Sequence, residues 1–89
     1  MNRLNAQSKK SQKVEIKVFP NPVVDHLEVT EVSKVGKLVV YNLVGRELKR
    51  FTVEDGKNYY VGDLPGGMYL VQILNKRGKK ITTQRVRKS

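Results

Sequence analysis

The 89-residue chain has no cysteine and no tryptophan. Without thiols there can be no disulfide, no thiolate nucleophile and no cysteine-based zinc site. The compartment stays open, because an oxidising environment permits disulfides without requiring them. With one histidine, no pair of imidazoles can share a metal. No apolar run approaches the ~20 residues of a membrane-spanning helix. The opening stretch MNRLNAQSKKSQK is basic but lacks the apolar segment of a secretory signal peptide. Helical hydrophobic periodicity and internal repeats are also missing. Acidic residues are few, eight against eighteen Lys and Arg, for a formal net charge of +10.

The location of that charge decides what it means. Residues 1–13 hold Arg3, Lys9, Lys10 and Lys13 and no acid, residues 14–75 are nearly balanced, and residues 76–89 hold seven basic side chains. The body is therefore close to neutral between two basic ends, unlike a globally basic nucleic-acid binder. Residues 1–13 have Leu4 as their one large apolar side chain and are expected to be a flexible basic linker, since they cannot bury enough surface to offset their ordering entropy. Residues 14–89 form one domain with a modest core, because a chain this short buries only roughly 60–65% of its unfolded surface.

From Val14 onward the pattern has period two. Val14, Ile16 and Val18 alternate with Glu15 and Lys17, and Leu27 and Val29 alternate with His26, Glu28 and Thr30. Between them lies VFPNPVVDHLEV, where Pro20 and Pro22 cannot donate to a ladder and push Phe19 and Asn21 toward extended geometry. A stiff kink joining two strands is predicted there. Further strands are expected over Lys37–Asn42 (apolar enough for both faces to be covered), Arg46–Val53, Asn58–Val61, Met68–Asn75 and Lys79–Arg87. Gly45, Gly67 and Gly78 punctuate turns, and Asp55-Gly56 is a hairpin signal. On Met68–Asn75, Met68, Leu70 and Leu74 share one face, with Tyr69, Val71 and Ile73 on the other. Ile81 and Val86 differ in parity, which predicts a bulge or frayed end in the last strand. Seven short strands at roughly ten-residue spacing predict an all-β, immunoglobulin-like antiparallel sandwich.

Little in this pattern can do chemistry, and no enzyme and no cofactor are expected. His26 reads as an ordinary strand-start residue. Asp25 and Asp63 sit beside turns, where carboxylates commonly accept backbone N–H bonds. Glu54 and Asp55 lack the oxygen-ligand loop that calcium requires. No serine has a nucleophile-elbow setting, and no glycine belongs to a phosphate-cradling loop. The basic final hairpin has two readings: lysine and arginine studding an edge strand against aggregation, or docking on an acidic partner. Phe19, Tyr41, Phe51, Tyr59, Tyr60 and Tyr69 could stack on bases, but alternation turns several of them into the core, so nucleic acid is not an expected partner.

Taken in order, the motifs resemble the C-terminal sorting domain of type IX secretion cargo. That family opens with Tyr/Phe-Pro-Asn-Pro, matched by Phe19, Pro20, Asn21 and Pro22, with Asp25 and Leu27 behind. Its middle motif, a strand ending in Tyr-Asn or Tyr-Asp before a glycine turn, is matched by Val40, Tyr41, Asn42 and Gly45; Val44 departs from the usual polar residue. Its late motif, Leu-x-x-Gly-x-Tyr, is matched by Leu64, Gly67 and Tyr69. A lysine-bearing terminal strand is matched by Lys79, Lys80 and Lys88. The resemblance covers about residues 14–89.

It implies a folded address label that carries an exported protein through the periplasm and across the outer membrane, to the surface or into the medium. The implied partners are the outer-membrane translocon and a sortase-like peptidase. The peptidase would cleave within about residues 1–13 and attach the cargo to anionic lipopolysaccharide. The export signal would then belong to the other end of a longer precursor. Within the resemblance, the terminal strand (Lys79, Lys80, Arg85, Val86, Arg87 and Lys88) is expected to be the receptor-read element and the remaining motif residues scaffold. The alternatives are an uncleaved surface adhesion module and a ligand for a periplasmic sensor protein.

Overall fold

Alternating sequence becomes two facing sheets when each strand has one apolar side to hide. The computed structural model, which describes residues 15–89, has seven strands. They are β1 Val18–Phe19, β2 His26–Val29, β3 Lys37–Tyr41, β4 Glu47–Thr52, β5 Tyr59–Tyr60, β6 Gly67–Leu74 and β7 Lys80–Lys88, with one 3-10 turn at Val32–Lys34. A three-stranded sheet runs β1-β2-β5 and a four-stranded sheet β4-β3-β6-β7. All their neighbouring pairs are antiparallel. The expected all-β sandwich is what the chain forms. The linker expected over residues 1–13, and Val14, lie outside the described residues.

Leu38, Val40, Tyr69, Val71, Ile73 and Val86 from the larger sheet meet Val18, Leu27, Val29 and Tyr59 from the smaller. Each such burial stabilises the fold by about 1.5–3 kcal/mol relative to exposure, an upper estimate because denatured chains already bury some surface. Tyr69, Val71 and Ile73 point inward and Met68 and Leu70 outward, as alternation predicts. Val39 is also fully buried, on the opposite face from Leu38 and Val40, so β3 is covered on both sides.

The parity break in β7 is a bulge. Ile73 pairs with Thr82 and Leu74 with Lys80, leaving Ile81 without a partner residue on β6. Leu48 is skipped in the same way between Val40↔Lys49 and Tyr41↔Glu47. Within the described residues the first strand covers only Val18–Phe19, and ahead of it Thr30 bonds Lys17 through both its backbone and its side chain. Thr30 N–H donates to the Lys17 carbonyl at 2.9 Å and its hydroxyl accepts from Lys17 N–H at 3.0 Å.

Asp55-Gly56 corrects a sequence expectation. Gly56 does adopt positive φ (74°), but β4 and β5 lie in different sheets, so the turn carries the chain across the sandwich rather than closing a hairpin. Tyr59 explains the crossing. Its ring is buried beside Phe51 with centroids 5.4 Å apart, and its hydroxyl bonds both the N–H (3.1 Å) and the carbonyl (3.3 Å) of Glu54. Burying that ring between the sheets outweighs the local preference for a tight hairpin.

The β3–β4 and β6–β7 turns share one construction. Asn42 Oδ1 accepts from Val44 and Arg46 N–H groups, and Asn75 Oδ1 accepts from Arg77 and Lys79. Gly45 (φ 91°) and Gly78 (φ 87°) then take the left-handed position. A tyrosine corner closes the other end of β6: the buried Tyr69 donates its hydroxyl to the Pro65 carbonyl. Tyr69→Phe is expected to cost about 1–2 kcal/mol, by leaving that carbonyl unpaired, with the fold retained. A urea transition unchanged in midpoint would contradict this.

Candidate functional site

Proline has no N–H, so a chain that must leave one sheet and run along another can place prolines at the crossing without orphaning donors. Pro20 and Pro22 stand at such a crossing, and both X–Pro bonds are cis. Before it, β1 pairs with β2; after it, Val23 lies parallel to Lys88 at the outer edge of β7. Val23 N–H donates to the Arg87 carbonyl at 2.8 Å, and Ser89 N–H donates to the Val23 carbonyl at 2.9 Å. The opening motif and the terminal strand, 64–66 residues apart in sequence at their paired positions, thus form one seam.

Two side-chain amides serve as rungs where the backbone cannot. Asn21, between the prolines, accepts from Arg87 N–H at 2.9 Å and donates to the Arg85 carbonyl at 3.3 Å. Gln84 accepts from Val18 N–H at 2.8 Å and donates to the Val18 carbonyl at 3.0 Å, joining the two sheets. Each amide therefore mimics the donor–acceptor pair of a strand residue. Sequence reading gave no seam role to Gln84, Val18 or Val23. The available signal was parity, since Gln84 is a polar residue in register with the inward Val86. Asn21→Ala is expected to cost about 1–2 kcal/mol, the net worth of two largely exposed hydrogen bonds. It should also speed hydrogen exchange at the Arg87 amide; unaltered protection there would mean that the Asn21 amide is no rung.

Period two also divides the terminal strand. Arg85 and Arg87 point to solvent, and Lys79 and Lys80 are exposed at its start. Val86 is 2% exposed and Lys88 9% exposed. The Lys88 stem lines the apolar space between the sheets with Val23, Leu27, Val61, Leu64 and Val86, while its ammonium donates to Ser89 O at 3.2 Å. This is the amphipathic use of lysine, with methylenes in and the charge out. Of the six terminal residues expected to meet a receptor, Val86 and Lys88 therefore face the core, and only Lys79, Lys80, Arg85 and Arg87 are available on the folded domain.

The remaining motif residues are spread around this seam. Asp25 contributes its backbone, its carbonyl accepting from Val61 N–H at 2.7 Å. Leu64 packs against the core, and Gly67 (φ 151°) starts β6 opposite Lys88. Tyr41 ends β3 and Gly45 lies in the β3–β4 turn, both away from the terminal strand; Tyr41 Oη meets Gln72 Oε1 at 3.4 Å. Nearby, Lys49 and Asp63 pair at 2.9 Å. The hydrogen bond from Lys49 holds the Asp63 carboxyl below the usual carboxylate range, with a smaller contribution from the Lys88 charge.

Residues 17–88 match the family model described as a secretion system C-terminal sorting domain. No curated protein and no solved structure matches the chain.

Proposed function

The chain belongs to the family of secretion system C-terminal sorting domains, and we propose that the exposed half of its terminal strand is what the type IX machinery reads. A domain of this family marks cargo for the cell surface or for release and interacts with the secretion machinery. Folded cargo waits in the periplasm, and the outer-membrane translocon engages β7. A sortase-like peptidase then cuts ahead of the domain and joins the cargo to anionic lipopolysaccharide.

One observation supports the choice of β7. It is an edge strand whose outward arginines, Arg85 and Arg87, are exposed while its inward residues are committed to the core. Exposed positive charge on a fixed strand steers approach to an acidic receptor, an effect that weakens as salt rises.

The test is a periplasmic reporter fused ahead of residues 1–89, expressed in a bacterium with type IX secretion and in a strain lacking its outer-membrane pore. Surface or released reporter that depends on the pore, and that falls sharply for Arg85→Glu/Arg87→Glu, is the expected result. A reporter held in the periplasm in both strains would sink the sorting reading. Export that ignores the arginine reversal would move the readout away from β7.

A further inference from the structure

The seam between β7 and the opening motif is closed at one end only. The Arg85 carbonyl and both backbone groups of Arg87 face the motif and are paired there. Strand alternation turns the N–H and carbonyl of Thr83 and the N–H of Arg85 to the same side. No described residue pairs with them. Beside them the two sheets part into an open groove of about 530 Å³, bounded by Glu15, Ile16 and Lys17 on one wall and Ile81–Arg85 on the other.

We propose that this groove accepts an extended, acidic strand of a partner protein, added to the edge of β7 at Thr83–Arg85. The inference rests on the sorting reading and narrows it from a whole strand to one short segment. Three features select the occupant. The unpaired backbone groups call for another backbone, so a peptide strand fits where a nucleic acid or a polysaccharide would leave them unmatched. Ile16, half-buried, and Ile81, 38% exposed at the bulge, offer an apolar floor for every second side chain of the incoming strand. The charge is positive: Lys79, Lys80 and Arg85 are exposed, while Lys17 and Glu15 offset each other at 3.7 Å. The same charge argues against a second copy of this chain, which would lay two basic edge strands side by side.

The asymmetry also has a reason in the fold. Clamping residues 85–89 against Asn21 and Val23 holds β7 in register, so the vacant rungs at Thr83 and Arg85 stay aligned rather than fraying. An edge already shaped as a strand costs less ordering on association than a loose terminus would.

The test titrates the ¹⁵N-labelled 89-residue chain with a short capped peptide in which valine alternates with glutamate, and with its lysine counterpart. The glutamate peptide should shift and protect the Thr83 and Arg85 amides, perturb Ile16 and Ile81, and weaken with added salt; the lysine peptide should not bind. Thr83→Pro removes only an outward N–H, a change that edge strands accept, and should weaken binding about tenfold, whereas Thr83→Ala should not. Arg85→Glu, which leaves the backbone untouched, should weaken it about as much, so the proposal stays testable if the proline variant does not fold. Shifts confined to other strands, or equal binding by folded Thr83→Pro, would overturn it. So would dextran sulfate binding the proline variant and the parent alike with no peptide response, which marks a merely cationic surface. Reporter export separates the two readings. A Thr83→Pro fusion exported like the parent sinks the groove and leaves the sorting signal standing. A parent fusion that stays in the periplasm sinks the sorting signal, and the peptide titration alone then judges the groove.

Discussion

Deleting Arg87–Ser89 is expected to cost the domain about 3–5 kcal/mol, a loss that arises from the fold before any receptor is involved. The deletion removes three hydrogen bonds across the seam: Arg87 N–H to Asn21, Val23 N–H to the Arg87 carbonyl, and Ser89 N–H to the Val23 carbonyl. It strips the Lys88 stem from the apolar space between the sheets and ends the β6–β7 ladder before Met68 and Gly67 find partners. A domain of this size has roughly 4–11 kcal/mol of stability in all. The truncated chain should therefore unfold at much lower urea, and an export defect in such a variant would not by itself locate a readout. A urea midpoint equal to that of the intact chain would refute the clamp. For this reason charge reversal and edge proline, which spare the core, are better probes of recognition than truncation.

Val86→Asp should be worse still. Val86 is 2% exposed and packs within the common core, where an aspartate would bury a carboxylate among apolar side chains. Placing a carboxylate there is expected to cost more than about 4 kcal/mol, or to force its protonation, and to abolish a cooperative unfolding transition near neutral pH. The neighbouring Arg87→Glu is expected to change stability by less than about 1 kcal/mol, because its side chain is in water. Circular dichroism melts of the pair make the comparison direct. Adjacent residues of one strand would then differ by several kcal/mol for one reason, the face each presents. Equal melts would mean that the terminal strand does not pack as described.

Much of this was legible in the sequence because its signals are local. Period two placed each strand, and Asn-x-x-Gly with positive φ at glycine built both turns of the larger sheet. The parity clash between Ile81 and Val86 was a true bulge, with Ile81 as the extra residue. Motif order pointed to a sorting domain, and the family match over residues 17–88 agrees with it. The Asp55-Gly56 hairpin failed because the turn type was right but its tertiary use was not. A glycine at positive φ permits a tight turn, and whether the flanking strands pair or part depends on where the ring of Tyr59 is buried.

Alternation, turn chemistry and charge placement, each set by neighbours a few residues apart, were sufficient to determine seven strands, a near-neutral body and a basic last strand. The tertiary structure alone decided which half of that strand is available. Asn21 and Val23 reach β7 across more than sixty residues of chain, and no local pattern encodes so distant a contact. Sheet edges are completed in space rather than along the sequence, so the occupied rungs at Arg85 and Arg87, and those at Thr83 and Arg85 that no described residue fills, emerge only once the two sheets are stacked.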